Sequence, residues 1–202
     1  MSNISWHAHA LFTIKYFFNK TIMDRITLKD RDFTLFITAG EIEKAVTAMS
    51  QQINRDMAGK NPIFLVILSG AFVFAADLLR KIKTNCDVTF VRLSSYSGTQ
   101  STEKIRELLG LNEVLKDRTV IIVEDIIDTG HTMDDMIHKL RNFEAAEVKV
   151  ATFLLKPAAL RKDLKVHYVG MEIPNDFIVG YGLDYDGVGR NLPDIYKVVP
   201  EV

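Results

Sequence analysis

Val120-Ile121-Ile122-Val123-Glu124-Asp125-Ile126-Ile127-Asp128-Thr129-Gly130-His131-Thr132 decides how this 202-residue chain is read. Four β-branched aliphatics in a row, Val120 to Val123, read as a strand buried on both faces. Two adjacent carboxylates follow, then two isoleucines, a third carboxylate and a Thr-Gly-x-Thr turn. Beyond the turn, Met133, Met136, Ile137 and Leu140 recur at helical spacing, so a helix is predicted from Gly130 to Phe143. A helix N-terminus behind such a turn offers free backbone N–H groups and the positive end of a dipole, which suit a phosphate. Three carboxylates beside that seat would repel it unless they hold sugar hydroxyls or act with a metal. The segment therefore points to a phosphorylated sugar. Taken alone, Asp128 to Thr132 is also an ordinary cluster of N-capping groups. Asp-Thr-Gly matches the aspartic-protease triplet too, but that chemistry needs two aspartates sharing a proton across β structure, and a helix follows here.

Further elements flank this segment. Glu41 to Met57 is predicted as an amphipathic helix with Ile42, Val46, Met49, Ile53 and Met57 on one face. Ile63 to Leu68 reads as a central strand broken by Ser69-Gly70, and Phe72 to Ile82 as a helix. Val88 to Leu93, Val148 to Leu155, Val166 to Val169 and Phe177 to Val179 read as further strands. Strands alternating with helices predict an α/β fold, a mostly parallel sheet with helices on both faces. In such sheets ligands sit outside the carboxyl ends of the strands. Ser69-Gly70, the acidic run and Lys156 all fall at such ends. Neither a P-loop nor a Gly-x-Gly-x-x-Gly fingerprint occurs. Ser94 to Arg106 is polar and longer than most connections; it is a plain surface loop or a functional one.

Composition narrows the class. Hydrophobic content of 48% and charged content of 25% are those of a soluble globular protein, and a net charge of −1 leaves no nucleic-acid footprint. Cys86 is the only cysteine, so no internal disulfide is possible and nothing points to an oxidising compartment; the expectation is cytoplasmic. No run of about 18 apolar residues suggests a membrane span. Residues 1–22 hold Trp6, Phe12, Tyr16, Phe17 and Phe18 but lack the pattern of a signal peptide. They read as an N-terminal extension ahead of a single domain spanning 23–202, or else as an extra packing segment.

Val123 to Thr132 resembles the phosphoribosyl-diphosphate (PRPP) binding signature of type I phosphoribosyltransferases. Its Glu-Asp-Ile-Ile-Asp form, with Phe177-Ile178-Val179-Gly180-Tyr181-Gly182-Leu183-Asp184-Tyr185, is similar to the hypoxanthine-guanine branch. The similarity runs from about Ile26 to the C-terminus and leaves residues 1–22 outside. It implies the type I phosphoribosyltransferase fold, with a small hood built from the N- and C-terminal segments. It also implies transfer from PRPP to a 6-oxopurine with Mg²⁺ as cofactor, and a homodimer or homotetramer with no nucleic-acid or membrane partner.

Site roles follow from the resemblance. Glu124 and Asp125 would approach the ribose hydroxyls. Being adjacent, they face opposite ways in a regular strand, so a shared ribose seat requires the strand to be ending. Asp128 would be the general base near the purine N7. Thr129, Gly130, His131 and Thr132 would hold the 5-phosphate. Ser69 and Gly70 would bind pyrophosphate through backbone amides, in a loop that often carries a non-proline cis bond; an ordinary strand-to-helix turn is equally compatible. Many relatives have a basic residue where this chain has Ser69, so a side-chain charge contact is not expected there. Arg190 would also reach the pyrophosphate. Ile126, Lys156, Phe177, Ile178 and Asp184 would form the purine site, with Lys156 donating to the 6-oxo group and Phe177 stacking on the base. Asp184, with Glu124 and Asp125, would hold the metal. Ser95 and Tyr96 would belong to a lid. Plainer readings stand beside these: a snorkelling strand-end lysine for Lys156, core packing for Phe177, a turn residue for Asp184. Two rival functions remain, a PRPP-sensing regulator without catalysis and a pyrimidine-linked enzyme of the same fold.

Overall fold

A computed structural model describes residues 25–94, 106–107 and 115–200. In chain order its elements are β1 (Arg25–Leu28), β2 (Arg31–Ile37), α1 (Ala39–Asp56), β3 (Ile63–Leu68), α2 (Phe72–Leu79), β4 (Asp87–Ser94), β5 (Arg106–Glu107), β6 (Thr119–Ile127), α3 (His131–Asn142), β7 (Glu147–Leu155), β8 (Tyr168–Glu172), β9 (Ile178–Val179) and β10 (Ile195–Val198).

Successive strand residues point to opposite faces, so strands apolar throughout need cover on both sides. On one face Phe64, Val66, Ile121, Val123 and Phe153 pack with Ile42, Val46, Met49 and Ile53 of α1 and Phe74 and Leu78 of α2. On the other, Ile63, Leu65, Val120, Ile122 and Val150 pack with Met133, Met136 and Leu140 of α3. The sheet runs β5-β4-β3-β6-β7-β8. β4, β3, β6, β7 and β8 are mutually parallel, and only the short β5 is antiparallel. Chain order reverses between β3 and β6, the point at which an open α/β sheet leaves a crevice at its strand ends. A second, antiparallel sheet, β1-β2-β10-β9, joins the two ends of the described chain into the expected hood.

Several boundaries differ from the sequence reading. β6 continues past Val123 to Ile127, because β7 keeps pairing with it through Ile127 and Leu155. α2 stops at Leu79: the Asn54 side chain donates to the Lys81 carbonyl at 2.9 Å and accepts from the Lys83 N–H at 2.8 Å, which holds the chain in a turn. β8 begins at Tyr168, not Val166, because its pairing with β7 starts at Ala151 and Tyr168. The sequence pattern does not separately predict β1, β2 and β10; β1 has a burial alternation too shallow to stand out over four residues. No helix among the described residues is long and apolar enough to cross a membrane.

His167 sits where β7 and β8 meet. Its Nδ1 accepts the Val150 N–H at 3.1 Å. Burial first, then the Lys149 and Lys165 charges, push its pKa below the usual 6.5, against a smaller opposing effect of Glu147. The folded chain therefore holds the ring neutral at pH values where the unfolded chain protonates it. Stability is expected to fall as pH drops below 6.5, until the lowered folded value is reached. In His167→Asn, whose amide oxygen still accepts but does not titrate, that loss in melting temperature should shrink. Identical acid profiles for the two proteins would contradict this assignment.

Candidate active site

The acidic pair lies within β6 rather than beyond it, so the strand does not end where a shared ribose seat was expected to need it. What ends is the pairing with β3, whose last matched pair is Val66 and Val123. From Glu124 on, that edge of β6 is left to the loop after β3. Asp125 is buried, and its Oδ1 accepts the Ile126 N–H at 2.9 Å. A Cβ at Gly70 would lie 1.7 Å from Asp125 Oδ2, so the loop reaches the carboxylate only because residue 70 has no side chain. The Leu68–Ser69 peptide within this loop is cis. Burial, then the charge of Asp125 and a hydrogen bond with it, push the Glu124 carboxyl well above the usual range. Such a pair resists carrying two charges until a cation or hydroxyl donors arrive.

The turn into α3 is made by Gly130, at φ 81° in the left-handed region. The helix makes no side-chain cap bond, so its opening N–H groups are not consumed as the N-cap reading supposed. Thr129, His131 and Thr132 are exposed around them. The Thr129 carbonyl accepts the Arg161 N–H at 3.0 Å, which ties the turn to the segment after β7.

Lys156, first residue past β7, is 7% exposed and therefore does not snorkel. Its backbone N–H donates to the Ile127 carbonyl at 3.0 Å, and its Nζ lies 2.9 Å from Asp128 Oδ1. The carboxylate at the end of β6 and the ammonium at the end of β7 thus form one adjacent acceptor–donor pair. Phe177 is 49% exposed, which sets aside core packing. Its ring is braced by Tyr185 at 5.8 Å and Phe33 at 6.4 Å, leaving area free for a planar partner. Ile178 is buried, and Ile126 packs partly buried against the same core.

The hood loop closes the arrangement. A Cβ at Gly182 would lie 2.2 Å from the Gly70 carbonyl oxygen, so this loop touches the loop after β3 backbone to backbone. Arg190 donates from Nη1 to the Gly182 carbonyl at 2.6 Å and pairs through Nη2 with Asp184 Oδ1 at 2.6 Å. Asp184 Oδ2 accepts the Gly187 N–H at 2.7 Å, so the turn role also holds. Asp184 and Arg190, expected on a metal and on pyrophosphate respectively, are held together. Among the described residues no three potential metal-ligating side chains cluster. Ser95, Tyr96 and the extension 1–22 lie outside the described residues. The Gly182 contact escaped the sequence reading; its signal was the Gly180-Tyr181-Gly182 triplet, since paired glycines beside a strand mark close backbone approach.

Gly70→Ala forces a methyl group into the space of Asp125 and is expected to cost about 1–3 kcal/mol of stability, the usual cost of overpacking. Gly40→Ala, in α1 with nothing within 4 Å of the new methyl, should be neutral or slightly stabilising. Denaturant unfolding of both variants measures the contrast, and equal midpoints would contradict the Gly70 contact.

Known proteins share both the sequence and this frame. Residues 37–186 match the model of the phosphoribosyl transferase domain. A hypoxanthine-guanine phosphoribosyltransferase of Streptococcus pneumoniae is 40% identical over 169 residues, covering 83% of this chain and 94% of that protein. The bifunctional protein TilS/HprT of Listeria monocytogenes is 35% identical over 169 residues, and the match spans only 26% of its length. A crystal structure of a hypoxanthine-guanine phosphoribosyltransferase from Bacillus anthracis, with HEPES in its active site, superposes with a TM-score of 0.76 at 37% identity, covering 82% of this chain and 96% of that one. The chain belongs to the phosphoribosyltransferase family.

Proposed function

We propose that this chain transfers the phosphoribosyl group of PRPP to hypoxanthine or guanine, releasing IMP or GMP and pyrophosphate. The observation that carries this reading is the Asp128–Lys156 pair at 2.9 Å. The 6-oxo group and N7 lie side by side on one edge of a purine. A 6-oxopurine protonated at N7 presents an acceptor next to a donor. Lys156 and Asp128 present the complementary donor and acceptor. Adenine puts an amino group where Lys156, which can only donate, needs an acceptor. Phe177 offers its exposed ring to the base, and the backbone of Ile178 meets the exocyclic edge, with Ile126 alongside.

PRPP would lie along the carboxyl ends of β3 and β6. The opening N–H groups of α3, with Thr129 and Thr132, hold the 5-phosphate beside Gly130 and His131. Glu124 and Asp125 accept from the ribose hydroxyls and place negative charge near the ribosyl carbon as it gains positive character. The backbone at Ser69 and Gly70, with Arg190, takes the pyrophosphate. Asp128 receives the N7 proton as N9 attacks. Asp184, Glu124 and Asp125 are hard oxygen ligands of the kind Mg²⁺ takes, and since they do not gather into one cluster, substrate oxygens and waters would complete the coordination around one or two of them. Mg²⁺ commonly binds through one or two carboxylates, waters and substrate phosphates, and here it would neutralise the departing pyrophosphate. A cytoplasmic location and a homodimeric or homotetrameric state complete the proposal.

Two variants separate the roles. Wild type should prefer hypoxanthine and guanine to adenine by about 10²-fold or more in kcat/KM, and Lys156→Ala should narrow that gap. Asp128→Asn, which keeps the shape and loses the base, should lower kcat by about 10²–10⁴-fold with little change in PRPP KM. A wild type that uses adenine as readily as hypoxanthine, or an Asp128→Asn enzyme with undiminished chemistry, would overturn the assignments. Exhaustive EDTA treatment should abolish turnover and added Mg²⁺ restore it; full activity after chelation would remove the metal from the scheme.

A further inference from the structure

Tyr181 immediately precedes Gly182, whose contact with the Gly70 carbonyl brings the hood to the loop after β3. It is a non-glycine residue in the left-handed region, at φ 51°, flanked by Gly180 at φ 108° and Gly182 at φ 99°. A side chain in that conformation persists where its surroundings fix it. The Tyr181 backbone N–H donates to the Leu192 carbonyl at 2.9 Å. Its ring is 5% exposed and lies edge-on to Phe153 at 5.1 Å. Its hydroxyl donates to Asp77 Oδ2 at 2.9 Å. Burial first, then the Asp77 bond, push the hydroxyl pKa far up, so it remains a donor throughout the working range.

Asp77 lies on α2, the helix that starts two residues after Gly70. Beside the bond, α2 and the hood loop part around a cavity of about 340 Å³ lined by Val73, Asp77, Tyr181 and Arg190 among others. The Tyr181–Asp77 bond closes the wall of that cavity between α2 and the hood loop. The next residue, Gly182, touches the Gly70 carbonyl, donates its N–H to the Arg190 carbonyl at 3.0 Å and accepts from the Arg190 guanidinium at 2.6 Å. The Tyr181 hydroxyl therefore ties α2 to the residue next to Gly182, the point where the hood loop meets the loop at 69–70 and holds Arg190.

We propose that Tyr181 and Asp77 are positioning residues for the pyrophosphate half of PRPP: their hydrogen bond holds the Arg190–Asp184 pair in register with the loop at Ser69-Gly70. This rests on the phosphoribosyl-transfer reading above. Neither residue touches substrate, so the effect should appear as a split among constants and not as a loss of chemistry.

The structure supplies its own control. Tyr168, 1% exposed, donates to Asp56 Oδ2 at 3.0 Å, the same bond made between β8 and the last residue of α1. Tyr181→Phe and Tyr168→Phe each remove one buried hydroxyl from one carboxylate. Initial-rate kinetics of the full chain with PRPP, hypoxanthine and Mg²⁺ should show PRPP KM raised about five- to tenfold in Tyr181→Phe, the size of one hydrogen bond's net contribution. Hypoxanthine KM should stay within about twofold. Tyr168→Phe should lower the melting temperature about as much as Tyr181→Phe does and leave both constants at wild-type values. Asp77→Asn, whose amide oxygen still accepts the hydroxyl, should retain near-wild-type PRPP KM, whereas Asp77→Ala should reproduce Tyr181→Phe. An unchanged PRPP KM in Tyr181→Phe, or an equal rise of PRPP KM in the two tyrosine variants, would overturn the proposal. Should Tyr181→Phe not fold, the Asp77 pair decides alone: equal PRPP KM in Asp77→Ala and Asp77→Asn overturns it. A wild type without turnover would reject the functional reading itself, a result distinct from any of these.

Discussion

Close backbone approach at two glycines organises this molecule. Gly70 lies against the Asp125 carboxylate and Gly182 against the Gly70 carbonyl, each with no room for a methyl group. Three segments far apart in sequence meet there: the end of β6, the loop after β3 and the loop of the hood. β3 and β6 come together because they are neighbours at the point where strand order reverses. The hood comes to them because β2 and β10 pair antiparallel, which folds the C-terminal segment back over the sheet. Without those glycines the strand ends and the hood would be held apart by side chains, and the charged residues they carry would not share one crevice.

Charge is balanced locally before any ligand arrives. Lys156 neutralises Asp128, Arg190 neutralises Asp184, and Glu124 is pushed toward its protonated form beside Asp125. Buried or half-buried charges of this kind are tolerated only when paired, because removing them from water is costly. The same pairs are the polar groups that a purine edge and a diphosphate would engage. Strand ends set the geometry of Asp128 and Lys156, and backbone hydrogen bonds of the hood loop that of Arg190 and Asp184, so little reorganisation is needed on binding.

Much of this was legible in the sequence because the signals were periodic or chemically dense. The apolar runs at 63–68 and 120–123 and the helical spacings at 42–57 and 133–140 report burial directly, and the structure buries those residues. The acidic run and the Thr-Gly-x-Thr turn pointed to the family because few other uses need those residues together, and residues 37–186 match it. What escaped depends on long-range pairing. Nothing local says that β6 should run through two carboxylates; that follows from the ladder with β7. Nothing in the apolar spacing that begins at Phe72 marks the end of α2 at Leu79 either, since an asparagine 27 residues upstream of Lys81 imposes it. Nor does the stretch around Tyr181 name Asp77, 104 residues earlier, as its partner.

The central claim is that a strand-end frame of this kind passes a phosphoribosyl group to a purine and not to water. Phosphorus NMR of PRPP with the full chain and Mg²⁺, with and without hypoxanthine, tests it most directly. The account predicts slow change without the base and, on its addition, conversion to nucleoside monophosphate and pyrophosphate in equal amounts. Ribose 5-phosphate and pyrophosphate appearing at the same rate with or without the base, or no reaction at all, would contradict it.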